Sequence, residues 1–217
     1  MNRKFLIFMA VLLLPYSLFS QYSFKELDSI IDRCSLDSVL FYLEKQKELA
    51  LTSDDKFTNV LNRASYYRRV DDYDSSLCFL EKVSSLASSQ KRKGIVEQRK
   101  GLVYTSQLNY TKAKEHYKLA LFYFSDTINK AATYFSLYDV CEDLGQPDSA
   151  WSYLLMSKRL YEGCSYKEEN YGTVLNSIGI QYLRKAKYDS AYFYFLESLD
   201  IYQVYKDSYN IARTKDL

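Results

Sequence analysis

The sequence predicts an all-α chain, an array of about five helical hairpins. Two observations carry that expectation. Glycine (6) and proline (2) are scarce in 217 residues, whereas sandwiches and barrels need many turn-forming residues. The chain also repeats itself. SLDSVLFYLEK (35–45), DYDSSLCFLEK (72–82), QPDSAWSYLLM (146–156) and KYDSAYFYFLE (187–197) align, and NYTKAKEHYKL (109–119) fits with Thr111 in place of Asp. The residue two after Asp or Thr falls at 39, 76, 113, 150 and 191, giving intervals of 37, 37, 37 and 41. The four additional residues fit best in GCSYKEEN, 163–170. With 47% hydrophobic and 26% charged residues, the chain can bury a core and is not expected to be disordered.

Taken in order, the chain opens on MNRKFLIFMAVLLLPYSLFSQ. Arg3 and Lys4 precede an apolar run, Phe5–Leu14, and Ser20 is a small residue at a cleavage point. This predicts a signal peptide over 1–20. The run is too short to span a bilayer, which takes about 20 residues, and no Cys follows it for lipid attachment. Cleavage removes Arg3 and Lys4 and no acid, so the formal charge falls from +2 to 0. The mature chain is then expected in the bacterial periplasm, secreted, or at the outer membrane, with no stable membrane insertion. No basic stripe suggests nucleic acid.

The array is expected over 21–208, with repeats near 22–55, 57–92, 94–129, 131–168 and 172–207. The first is weak, with only Leu27, Ile30 and Ile31 in register, as suits a terminal cap. In the last, Leu175, Ile178, Gly179 and Tyr182 share one helical face, and Tyr188, Ala191, Phe195 and Ser198 share another. KAKY links the two helices. Asp37, Asp74, Thr111, Asp148 and Asp189 hold one place and are expected to cap each second helix. Gly101 and Gly179, with Ala64 equivalent, are small residues that let paired helices approach closely. Residues 209–217 predict a short C-terminal helix or the start of a further repeat, the latter favoured.

These positions resemble the tetratricopeptide repeat (TPR) family over about 22–208. Its large–large–small–aromatic pattern is met by Leu175, Ile178, Gly179 and Tyr182, and its small–aromatic–small pattern by Ala191, Phe195 and Ser198. Gly101, Tyr104, Ala113, Tyr117 and Ala120 fit the third repeat, Ala64, Tyr67, Ser76 and Leu80 the second, and Tyr134, Leu137, Cys141, Ala150 and Leu154 the fourth. Arg63, Glu97 and Lys100 depart, occupying large apolar places, no repeat carries the family's terminal proline, and the period exceeds the family's usual 34. The resemblance implies a right-handed superhelical α-solenoid that binds a protein or peptide along its first helices. Carried over by register, the groove would hold Arg68 and Arg69, then Gln98, Leu102 and Thr105, then Phe135, Asp139, Glu142 and Asp143, and finally Asn176, Ile180 and Arg184. It would be basic at one end and acidic in the fourth repeat. The Lys/Asn clamp of chaperone-binding members is not reproduced.

Catalytic chemistry finds little footing. The single histidine, His116, would have to serve any Ser–His or Cys–His arrangement. No phosphate-binding glycine loop or nucleophile elbow occurs. Neither catalytic residues, cofactor nor metal is expected. Cys34, Cys78, Cys141 and Cys164 are widely spaced and read as buried thiols, with one or two disulfides open to an exported chain. The Asp-Ser-Ala and Asp-Ser-Val triplets resemble an O-glycosylation acceptor motif, but Asp as cap and the third residue as packing position account for them. Three functions follow in order: an exported non-catalytic scaffold, the extracytoplasmic sensory part of a longer sensor kinase or transcriptional regulator, and a glycan-binding helical protein suggested by 23 tyrosines.

Overall fold

The computed structural model describes residues 22–164, 169–205 and 207–215. The expected signal peptide and the centre of the 163–170 insertion lie outside them. Among the described residues there are eleven helices and no strand. They are α1 (Phe24–Arg33), α2 (Leu36–Glu48), α3 (Ser53–Arg69), α4 (Tyr73–Ser84), α5 (Gln90–Ser106), α6 (Tyr110–Tyr123), α7 (Thr127–Asp143), α8 (Pro147–Glu162), α9 (Glu169–Arg184), α10 (Tyr188–Tyr205) and α11 (Ser208–Lys215). The first ten pair as five antiparallel hairpins in chain order. The chain divides between Leu86 and Ala87 into two compact bodies. The first holds two hairpins, the second holds three and α11.

Polar caps set where the first helices begin. Thr52, Ser89 and Asp126 stand 37 residues apart, and each side chain accepts from the backbone N–H three residues on, at Asp55, Arg92 and Asn129. Thr52 and Asp55 bond reciprocally, so one motif satisfies two orphan donors. The helices therefore start at 53, 90 and 127, one turn ahead of the apolar pattern that suggested 57, 94 and 131.

Inside the hairpins, the turns repeat too. Asp71, Leu108, Gly145 and Ala186 each take a positive φ, 53° to 66°. Each sits at the C′ position of a Schellman ending. At the second turn, for example, Asn109 N–H donates to Tyr104 O at 2.9 Å and Leu108 N–H to Thr105 O at 2.9 Å. The left-handed residue uses one position and the following residue becomes the next helix's N-cap. Asp72 and Asn109 fill that place, accepting from Ser75 and Lys112 N–H. The expected caps, Asp74 and Thr111, with Asp37, Asp148 and Asp189, instead lie two residues inside, in the first turn. There the aspartates face the positive end of the helix dipole without capping it.

Packing repeats with the same period. Each hairpin buries a residue four after its packing position: Leu43, Leu80, Tyr117, Leu154 and Phe195 are 7% exposed or less. Where that residue is a ring, a glycine faces it. A Cβ on Gly101 would lie 2.6 Å from Tyr117 Cε1, and one on Gly179 would lie 2.5 Å from Phe195 Cε1. Gly94 faces Phe124 and Gly172 faces Tyr202 likewise. A second ring pair tightens three of the joints: Tyr67 stacks on Phe79 at 5.2 Å, Tyr104 on His116 at 5.1 Å and Tyr182 on Tyr194 at 5.5 Å. The YFYF run of 192–195 is thereby divided. Phe195 fills the glycine notch and Tyr194 makes the stack, while Tyr192 and Phe193 are exposed.

The fourth hairpin breaks both habits. Tyr138 stands where Gly101 and Gly179 stand, and Cys141 stands where the stacking tyrosines stand. Tyr138 is 6% exposed and packs into the core shared by the fourth and fifth hairpins, while Tyr153 stacks on Tyr134 instead.

Candidate functional site

In the second body, hydrogen bonds tie the first helices side by side. Gln98 Nε2 donates to Thr133 Oγ1 at 3.0 Å, joining α5 to α7. Gln181 Nε2 donates to Glu142 Oε2 at 2.9 Å, joining α7 to α9. The candidate groove residues of this body therefore fall on neighbouring helices, but their roles separate. Leu102 and Phe135 are half-buried against core clusters. Thr105 turns inward, donating to Gly101 O at 3.0 Å and meeting Tyr117 OH at 3.2 Å. Asn176 is 5% exposed and donates to Thr214 Oγ1 of α11 at 2.8 Å. Neither Thr105 nor Asn176 presents its amide or hydroxyl to a ligand as expected. Ile180 is half-buried.

What remains open is an acidic wall on α7. Asp139, Glu142 and Asp143 recur at helical spacing, so their side chains share one side. Asp139 and Asp143 are exposed and Glu142 is half-buried. Arg184, from α9, reaches Glu142 Oε2 at 2.5 Å. The Asp139 carboxyl is pushed up to about 7, first by the protein packed around it and then by the Asp143 and Glu142 carboxylates. Three partners were not singled out from sequence. Gln181 and Tyr138 hydrogen-bond each other at 3.2 Å beside Glu142, and Tyr110 bonds to Asp143. Burial first, then Asp143, raises the Tyr110 phenol. The misplaced Tyr138 was the available signal, a large residue at a position reserved for small ones.

His116 belongs to the packing. Its ring is the stacking member of the third hairpin, and Nδ1 lies 2.7 Å from Glu97 Oε2. Lys100 Nζ is 3.3 Å from the same carboxylate. Burial alone would raise the Glu97 carboxyl, but His116 and Lys100 together hold it below its ordinary value. Glu97 and Lys100 are two of the three residues that depart from the apolar pattern, and with His116 they satisfy one another.

In the first body, Arg68 and Arg69 end α3, Arg68 half-buried and Arg69 exposed beside Cys34. Among the described residues all four cysteines are free thiols. Cys141 is buried as expected, but Cys78, on α4, is exposed. Among these residues no cluster could hold a metal ion and no helix is long and apolar enough to cross a membrane.

No family model and no curated relative matches the sequence. Solved structures do match. MamA from Desulfovibrio magneticus RS-1 is 15% identical with a TM-score of 0.53, over 83% of this chain and 94% of that one. BtubC from P. vanneervenii is 13% identical with a TM-score of 0.62, over 85% and 79%. PilF of Pseudomonas aeruginosa is 17% identical with a TM-score of 0.59, over 88% and 86%. The 37-residue hairpin period, the glycine-and-ring joints and these likenesses agree: the chain has the all-α repeat fold of the tetratricopeptide-repeat proteins.

Proposed function

We propose that the chain is an exported, non-catalytic scaffold, and that α5, α7 and α9 present a binding face for an extended, cationic protein segment. The crowded Asp139 carboxyl carries the reading. Three carboxylates share one wall with Arg184 as their close cation, and such a wall repels itself until a positive group joins it. A lysine or arginine of the partner would relieve that repulsion and drive Asp139 to ionise. Binding would then release a proton and tighten as pH rises from 6 to 8. Export rests on the basic, apolar, small-residue order of 1–20.

Fluorescence anisotropy with a labelled peptide of alternating Lys and Ser tests the face. Binding is expected to weaken at least tenfold in Asp139→Asn/Asp143→Asn and to be absent for the Glu–Ser counterpart. Unchanged affinity in that variant would sink the groove assignment. For export, N-terminal sequencing of the full chain from the envelope fraction is expected to begin near Gln21; retention of Met1 in the cytosol overturns it.

The sensory reading draws on α11. The Asn176–Thr214 bond seats α11 on α9 much as Gln98–Thr133 seats α7 on α5, so α11 packs as the first helix of another hairpin would. The reading frame past Leu217 tests it: further repeats, a membrane helix and a kinase or DNA-binding module are expected. The glycan reading loses its support. Among tyrosines whose side chains are described, only Tyr22, Tyr188, Tyr192 and Tyr205 are exposed, and the others are buried or half-buried.

A further inference from the structure

The first body contains a cavity of about 550 Å³ between α2, α3 and α4. Its origin is legible in the repeat. Val60 and Arg63 stand 16 and 13 residues before the packing residue Ser76; at the same distances before Ala191 stand Leu175 and Ile178, which are 1% and 0% exposed. A valine and an arginine fill less apolar volume than leucine and isoleucine, so the layer that closes in the fifth hairpin stays open here.

The lining has two chemistries. Val60, Phe79 and Leu86 give an apolar wall, and Lys47, Lys56 and Arg63 bring three cations. Arg63 is held rather than mobile. Its Nε donates to Asn59 Oδ1 at 3.3 Å and its Nη2 lies 2.8 Å from Glu44. Asn59, 3% exposed, is fixed in turn by donating to Leu43 O at 2.9 Å and Gln46 Oε1 at 3.0 Å. Glu44 offsets one of the three positive charges, and Lys47 and Lys56 stand exposed at the rim.

We propose that this cavity binds a small amphiphilic monoanion, an apolar body of several carbons carrying one carboxylate. The apolar part displaces water from Val60 and Phe79, which favours burial of its hydrocarbon. The carboxylate meets Lys47 and Lys56. A neutral analogue forfeits the charge pairing, and a cationic one is repelled.

The test is NMR titration of the full chain with sodium octanoate, octanol and octylammonium. Octanoate is expected to shift the amides of Asn59, Val60 and Phe79 and to bind at least tenfold more tightly than either analogue. Lys47→Glu/Lys56→Glu, at exposed positions, should weaken octanoate at least tenfold while leaving octanol unchanged. Val60→Phe, which narrows the space at the apolar wall, should weaken binding of both at least tenfold. The proposal is overturned if octanol binds as tightly as octanoate. It is also overturned if the shifts fall instead on the second cavity, lined by Tyr188, Tyr192 and Phe195.

Discussion

The fifth and fourth hairpins follow one plan with opposite outcomes at the joint. In the fifth, Gly179 gives Phe195 a notch and Tyr182 stacks on Tyr194. In the fourth, a tyrosine takes the glycine's place and a cysteine takes the tyrosine's. Tyr138 then turns toward the next hairpin and its hydroxyl meets Gln181 at 3.2 Å. The acidic wall lies on the same helix, around it. Where local rules are broken without loss of packing, function is the usual reason, and here the break coincides with the crowded carboxylates.

The largest way to break this contrast is Gly179→Ala. The new Cβ would lie 2.5 Å from Phe195 Cε1, and a core ring cannot yield a full ångström cheaply. A loss of about 3 kcal/mol is expected, read by chemical denaturation. Adding Phe195→Leu should recover most of it, because Ala64 with Leu80 already makes that pair in the second hairpin. If Gly179→Ala alone costs nothing, the notch is not what holds the joint.

His116 sharpens the contrast from the third hairpin. His116→Ala loses the stack on Tyr104 and strands Glu97 with Lys100, an expected cost of about 2 kcal/mol. His116→Phe keeps the ring and should cost less than half as much, as Phe79 does this work in the second hairpin. Equal losses for both variants would show that the hydrogen bond to Glu97, not the ring, matters.

The turns differ by one residue. Gly145 takes the left-handed conformation in the fourth hairpin, and Leu108 takes it in the third. A side chain there costs about 1–2 kcal/mol, partly offset by glycine's greater chain entropy. Leu108 is 71% exposed, so little contact is lost in Leu108→Gly. The variant should gain about 0.5 kcal/mol, seen as a higher Tm.

The smallest effect concerns pH. Asp139 has its pKa raised from 3.8 to about 7 in the folded chain. Its contribution to stability is therefore fully present below pH 3.8 and is lost as pH rises through about 7. Because the side chain is exposed, solvent screens the effect to about 0.3 kcal/mol. Asp139→Asn should flatten stability between pH 4 and 8 relative to the wild-type chain. A wild-type profile already flat over that range would remove the crowding argument.

The hairpins, their period and their ring-and-small-residue joints were readable because each position recurs every 37 residues. Gly101, Gly179 and Ala64 stood out as small residues in one place, and the two glycines face Tyr117 and Phe195 as that pattern requires. The caps were misread by two residues because an aspartate before an apolar face suits either the cap or the first turn. Only the Schellman turn at Asp71, Leu108, Gly145 and Ala186 decides between them. Asn176 was misplaced for a different reason. Register assigns a face, but α11 covers that part of α9, and no periodicity announces a covering helix. Gln181, Tyr138 and Tyr110 were missed because they act across helices, at separations that sequence spacing does not link.

The left-handed turns have a further consequence. Leu108 and Ala186 are exposed, yet each holds a conformation glycine would adopt more easily, whereas Asp71 also accepts a hydrogen bond from Tyr73. The chain thus carries untapped thermal headroom at two turns. Variants that damage a functional surface could be rescued there without altering any contact that a partner reads.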